Sequence, residues 1–565
     1  GRAGAPPRAP RTLRTPCRAL WAREGCGRAP RVGSEHPAMS RVLWIRSEAL
    51  DHAVFNTSVR WTVPKVKDFL VSLRSAVTGS AISQAIWVEA ATCRCNPALS
   101  ELEAQAYWHV FSVLRQSLSG EPAGSTVDVR AIGLLLMCQV FSPHRVRTDQ
   151  FAKSGEMWPG LERATAATSP RHSPRGNSPR VGVSAQSSIQ RGRDASTAML
   201  AFVRQHLAYF LQVACEELTV EPTSVSDEEF DLLGMFLCAG ASTTQPLPRL
   251  SQALPELEAN RSMPWKEIRK AVDKSLVWNS DVYAVVEQSL GVQAPATPGE
   301  PRAVNVSGLT RQTWFQKPAT GDIDILNITC CNECTIYVTG HARFCFVAGC
   351  HDCTIMIAAV SGMCTIHNSE KISIHAAAHC FKMENSIDSS AYLYCHIPPI
   401  LSGDTRGIKL APFNVLYSQL DSALQRASIA LEAAYVDVWA HPVCCTLGSP
   451  DETLGGRSGN LDDLSHGNST YHFVHPDTFH PVVVPESMGG LRSAPQVPLC
   501  LPQVYDEAFR ARAGDMRAFQ KLFAEITDES KRRKTIQAMQ GHFREWLQAT
   551  GKSRQLADLA RMGLA

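Results

Sequence analysis

Two hexapeptides decide how this chain folds: Cys331-Asn-Glu-Cys-Thr-Ile336 and Cys350-His-Asp-Cys-Thr-Ile355, 19 residues apart. A fainter echo, Asn368-Ser-Glu-Lys-Ile372, follows at an offset of 18. Around them the apolar pattern alternates with a period of two. Short β-rich runs recur at Ile323–Ile328, Thr335–Thr339, Phe344–Val347, Thr354–Ala358, Cys364–His367, Ile372–His375, Cys380–Met383 and Ala391–Cys395. A repeat of about 20 residues built from short strands predicts a parallel β-helix, in which each coil stacks its inward residues on the next. A two-sheet sandwich is the alternative. The segment lacks the Asn-Gly and Asp-Gly dipeptides of tight hairpins, which weighs against it.

The same repeat weakens the sharpest chemical signal. Cys331, Cys334, Cys350 and Cys353 have the Cys-x2-Cys…Cys-x2-Cys spacing of a four-thiolate zinc site. If the two units are equivalent positions in adjacent coils, stacking alone accounts for them, and the thiols pack as small apolar groups. The expectation is therefore no metal and no cofactor. Nine of the 19 cysteines lie between Cys330 and Cys395. With no secretory signal in view, they read as reduced thiols in the cytosol.

No phosphate loop, His-Glu-x-x-His or Gly-x-Ser-x-Gly elbow occurs. His341, His351, His367, His375, His379 and His396 read as surface or turn residues. Asp352, Glu370 and Glu384 lack the matched spacing that a β-helix lyase or hydrolase needs, so no catalytic residue is assigned.

Outside the repeat, Ala98–Leu118 places Leu102, Ala106, Val110, Val113 and Leu114 on one helical face, and Val127–Phe141 reads as a buried helix. Ala198–Leu218 and Asp227–Ala239 continue the helical pattern, the latter behind a Ser226/Glu229 capping box. Pro264–Leu290 supplies one or two more helices. The resulting plan is a leader at 1–38, helical regions at 39–144 and 198–292, and a disordered linker at 145–197 between them. A β-helix domain at 304–438, an irregular stretch at 439–495 and a helical tail at 496–565 complete it. The linker carries three Ser-Pro-Arg units, with Ser169, Ser173 and Ser178 as candidate sites for a proline-directed kinase. In the tail, Phe543, Trp546, Leu547, Leu556 and Leu559 are expected to pack the closing helices together or onto the β-helix. Lys531-Arg-Arg-Lys534 reads as a solvated face between two helices, the rivals being a nuclear-localisation or anionic-lipid patch.

Residues 1–38 hold eight Arg and two Glu and no Lys or Asp. They read as lying outside the working protein, the rivals being a transit peptide or a basic arm. They contribute +6 to a formal charge of +3, so the chain from Met39 carries −3. That balance argues against nucleic-acid binding through bulk electrostatics. No window approaches 18 uninterrupted apolar residues, so no membrane span is expected.

Gly349-Cys-His-Asp-Cys353, Cys364-Thr-Ile-His-Asn-Ser369, Leu401-Ser-Gly-Asp404 and Lys409-Leu-Ala-Pro-Phe413, in that order, resemble the tubulin-binding cofactor C (C-CAP/cofactor C-like) domain family. The resemblance is greatest to its longer, TBCC domain-containing type. Met39–Trp44, the helices near Ala198–Leu218 and Ser226–Ala239, Leu501–Tyr505, Phe543–Leu547 and Gly551–Leu556 look similar to that type too. It implies an α+β multidomain protein: a right-handed parallel β-helix with a helical N-terminal region and a short helical tail. It further implies a non-enzymatic scaffold of the cytoskeleton at the centrosome, spindle pole or basal body. Its implied partners are centrosomal, basal-body or microtubule-associated proteins, and a small GTPase bound without activation. Members of the family activate GTPases through an arginine finger just before an Ile-His-Ser-like turn. Here Gly362-Met-Cys-Thr365 precedes Ile366-His-Asn-Ser369, and Thr365 takes the arginine's place. Arg343 and Arg406 are close in sequence but lie at other positions. A threonine supplies neither the charge nor the forked donors of arginine. The rival functions are a GTPase activator for tubulin or an Arf-like protein, and a β-helix carbohydrate enzyme.

Overall fold

The computed structural model describes residues 42–55, 59–77, 79–119, 126–141, 185–242, 245–277, 303–316, 323–446, 470–485 and 501–562. The leader at 1–38, the three linker serines and residues 278–302 lie outside the described residues.

The period-two segment is a parallel β-solenoid. Ala303–Ser307, Ile323–Thr329, Thr335–Ala348, Thr354–His367, Ser373–Glu384, Ser390–Cys395, Ile408–Pro412 and Tyr471–Phe473 are neighbours in that order. The 19-residue offset is the coil length: Thr335 pairs with Thr354 and Thr354 with Ser373. The fainter echo is also at 19, since His351 bridges Glu370. Pairs of expected strands, such as Thr354–Ala358 and Cys364–His367, are single strands bent where the register shifts.

Each coil turns at a corner of four residues, five in the last, bounded by two residues in the left-handed region. These pairs are Cys330 and Glu333, Gly349 and Asp352, Asn368 and Lys371, Asn385 and Asp388, and Gly403 and Gly407. Asn, Asp and Gly bear that conformation at least cost, which is why they recur here. Inside the corner one column runs Cys331, Cys350, Ser369, Ser386, Thr405. The first four each donate from sulfur or oxygen to the carbonyl two residues back: Thr329, Ala348, His367 and Glu384, respectively. Cys334, Cys353 and Ser389 repeat the bond in a second column, to Asn332, His351 and Ile387. Thiol and hydroxyl thus hold one structural post. The interior between corners is apolar, with Ile355, Ile374 and Phe381 fully buried. Trp439, Phe473, Phe479 and Tyr505 close its far end.

The N-terminal region holds more than helices. Val42–Ile45, Leu237–Ser242, Gln245–Pro246 and Leu276–Val277 form a four-stranded sheet, with Val42–Ile45 antiparallel to Leu237–Ser242. Four-residue strands are too short for a periodicity to register. The helix expected over Asp227–Ala239 is therefore split. Its capping box is present, but the helix Asp227–Asp231 passes into a 3-10 turn, Leu232–Met235, and then the strand. The helices Glu101–Ser119 and Val129–Gln139 form as read, except that Leu102 is 40% exposed. The helix Ala185–Ala214 starts inside the stretch assigned to the linker.

The closing helices are Gln503–Ala524, Glu529–Ala549 and Ser553–Arg561. The last docks on the solenoid: Leu559 is buried, the Thr313 amide donates to Asp558 Oδ2 at 3.1 Å, and Gln555 Nε2 donates to the Tyr337 hydroxyl at 2.6 Å. Phe543, Trp546 and Leu556 instead face solvent, against the packing expected for them. Lys531-Arg-Arg-Lys534 lies in the first turns of Glu529–Ala549, not between helices.

Because serine holds the same post one coil beyond Cys350, Cys331→Ser with Cys350→Ser is expected to fold and to lower the melting temperature by only a few degrees, about 1–2 kcal/mol. Scanning calorimetry with zinc analysis of the purified chain checks this; unfolding of the variant together with loss of stoichiometric zinc contradicts it.

Candidate functional site

Thr365 sits in the strand Thr354–His367, between Phe346 of the preceding coil and Lys382 of the next. Its side chain is fully buried. What buries it comes from far away in the sequence. The helix Ser47–Ala53 lays His52 over it, and His52 Nδ1 and Thr365 Oγ1 share a hydrogen bond of 2.8 Å. The imidazole stacks on Phe344, with centroids 5.2 Å apart, and meets Phe346 edge-on. Burial first, and then the Lys382 ammonium, pull the His52 pKa down to about 3, so the ring is neutral.

Lys382 is the only cation among Phe346, Thr365 and Lys382, and it has no exposed surface. Its Nζ donates to the carbonyls of His52 at 2.9 Å and Val54 at 2.6 Å. The ammonium lies 3.7 Å from Glu384 Oε2 and 4.7 Å from the centre of the Phe55 ring. Desolvation lowers its pKa, against the pull of Glu384. A buried ammonium persists only when its protons are used and a counter-charge is close. Here the chain leaving the first helix takes the protons, and Glu384 of the same strand supplies the counter-charge.

The cover extends beyond this pair. Helix Glu101–Ser119 packs on Thr354–His367, Ser373–Glu384 and Val443–Thr446. Phe344, Met363, Cys380, Ile400, Val443 and Cys445 of the solenoid belong to the core of the N-terminal region. The approach is closest at Gly362, where a Cβ would lie 2.8 Å from the Arg343 carbonyl and 3.0 Å from Ser117 Oγ. Glycine is needed there for space.

The other candidates disperse. Arg343 pairs with Asp324 at 3.1 Å, and Arg406 is exposed beside Asp404 at 3.7 Å. Cys331, Cys334, Cys350 and Cys353 come together at one corner, where thiol neighbours and burial hold Cys350 well above its ordinary pKa. Among the described residues no group of three or more His, Cys, Asp or Glu is arranged to hold a metal ion. His367 and His375 are buried rather than surface residues; His375 stacks on Tyr392 and bonds Asn414 Oδ1 at 2.6 Å. Glu384 serves Lys382, while Glu370 contacts Lys371 at 3.1 Å, so the acids form no catalytic line. Nothing in the sequence near Thr365 announces its cover. The one signal was Lys382 itself, a lysine in an apolar strand.

Residues 324–439 match the family model described as Tubulin binding cofactor C. The match lies within the solenoid. Relatives named TBCC domain-containing protein 1 resemble the chain beyond those residues. The mouse protein is 24% identical over 289 residues, 51% of this chain and 48% of its own. The human protein is 22% identical with the same coverage. The Xenopus laevis protein is 22% identical over 426 residues, 68% of this chain and 73% of its own. The chain thus spans about half the length of the mouse and human relatives. Tubulin Binding Cofactor C from Leishmania major, a solved structure, is similar at 13% identity and a TM-score of 0.21, over 32% of this chain and 99% of that one. No described helix is long and apolar enough to cross a membrane.

A neutral buried histidine sets a pH dependence in this cover of the solenoid. His52 takes a proton in the unfolded chain below about 6.5 but in the folded one only near 3. Its contribution is therefore present above about 6.5 and lost as the pH falls toward 3, by up to about 1.4 kcal/mol per pH unit. Urea melts between pH 7 and 4.5 are expected to show a shallower acid loss for His52→Gln than for the parent; identical slopes contradict the assignment.

Proposed function

We propose that this chain is a non-enzymatic cytoskeletal scaffold of the centrosome, spindle pole or basal body, acting in centriole positioning and the organisation of microtubule-based structures. One observation carries the non-enzymatic part: the position of the family's arginine finger holds Thr365, and His52 covers it. A finger must reach a nucleotide on another protein. Thr365 has neither the charge nor the access. The partners that fit are centrosomal, basal-body or microtubule-associated proteins, with a small GTPase bound but not activated.

The rival is a GTPase activator using a different arginine. Arg406 is accessible and keeps this rival alive, whereas Arg343 is engaged with Asp324. The carbohydrate-enzyme reading loses support because Asp352, Glu370 and Glu384 do not line one face.

Two measurements test the proposal. GTP hydrolysis by tubulin and by Arf-like GTPases is expected to be unchanged on adding the chain, within twofold, and acceleration that disappears in Arg406→Ala or Arg343→Ala contradicts it. Tagged chain imaged in dividing cells is expected at spindle poles and centrosomes, and an even cytosolic signal contradicts the location.

A further inference from the structure

The helix Glu529–Ala549 has no buried residue. Ile536, Met539, Phe543 and Trp546 are 38%, 48%, 51% and 44% exposed. Their spacing puts them within an arc of about 80° on a 3.6-residue turn. Arg532 falls inside that arc, and Lys531, Arg533 and Arg544 lie about 60–80° to either side of it. The helix therefore carries one apolar stripe edged by cations, with its acids reduced to Glu529 and Glu545. The preceding helix adds Phe519 and Leu522, 45% and 64% exposed, near the same turn.

The cations are also badly placed for an isolated helix. Lys531, Arg532, Arg533 and Lys534 crowd the N-terminal turns, where the peptide dipoles are already positive. Asp528 caps the amides of Ser530 and Lys531, Glu529 pairs with Arg533, and Arg532 lies over the Phe523 ring. Among the described residues Lys531 and Lys534 have no ion-pair partner. Four cations against one paired acid and one cap leave an excess that an external anion would neutralise.

We infer that this helix is an interfacial anchor that lies flat on an anionic lipid surface, burying Ile536, Met539, Phe543 and Trp546 among the headgroups. The cations on both margins of the stripe then reach the lipid phosphates from one plane. Lys552, over the Trp546 ring at 5.5 Å, extends the basic margin past the end of the helix. A second copy of the chain fits less well, because two such faces bring like charges together. The inference goes beyond the scaffold role and does not rest on it.

Co-sedimentation of the full chain with vesicles tests it. Phosphatidylcholine vesicles with about 30% phosphatidylserine are expected to bind the chain about tenfold or more tightly than phosphatidylcholine alone. Phe543→Ala with Trp546→Ala, and separately Lys531→Glu with Arg544→Glu, one from each margin, are each expected to lower that binding about tenfold or more. These side chains are exposed, and an unchanged melting temperature shows that each variant has folded. Failure of the parent to bind, binding indifferent to phosphatidylserine, or binding that survives both variants overturns the inference. So does a stripe-dependent dimer seen by analytical ultracentrifugation without vesicle binding, or capture by an acidic protein groove alone.

Discussion

Everything in this molecule follows from the coil-to-coil register of the solenoid, fixed by paired left-handed residues at each corner. A 19-residue step brings Thr335 onto Thr354 and Thr354 onto Ser373. Once the step is set, side chains distant in sequence become columns. One column supplies the cysteine and serine posts that hold the corners. Another aligns Phe346, Thr365 and Lys382 on a lateral face. The register explains both the abundance of buried thiols and the position of the covered site.

The lateral face has a consequence for the N-terminal region. Lys382 points into an interior where an unpaired ammonium would cost several kcal/mol. Two carbonyls at the end of the first helix and the carboxylate of Glu384 remove that cost. The same helix ends with His52 on Thr365. Cover and solenoid thus satisfy each other's buried polar groups, and the apolar packing around Phe344, Met363 and Ile400 makes them one core. The solenoid thus lends this face to its own chain.

How much of this was legible in the sequence depends on the range of the interaction. The repeat at Cys331 and Cys350 prescribes the solenoid because stacking writes equivalent positions at a constant offset. Its Asn, Asp and Gly corners mark the turns for the same reason. The capping box at Ser226 and Glu229 is local, and it is present. The sheet through Val42–Ile45 escaped because four apolar residues show no period, and its partners lie nearly 200 residues or more away. The exposure of Phe543 and Trp546 is not legible, because an amphipathic stripe implies that something covers it without saying that the covering group belongs to the same chain. The contact between His52 and Thr365 spans 313 residues and left no trace in either segment.

The central claim is that the N-terminal helix and the strand beneath it form one cooperative unit that closes off Thr365. Native-state amide hydrogen exchange, followed over Ser47–Ala53 and Thr354–His367 together, tests it most directly. Slow exchange is expected in both segments of the parent chain. In Lys382→Ala, where the carbonyls of His52 and Val54 lose their donor, both should speed up together. Fast exchange of Ser47–Ala53 in the parent, with Thr354–His367 still protected, would contradict it.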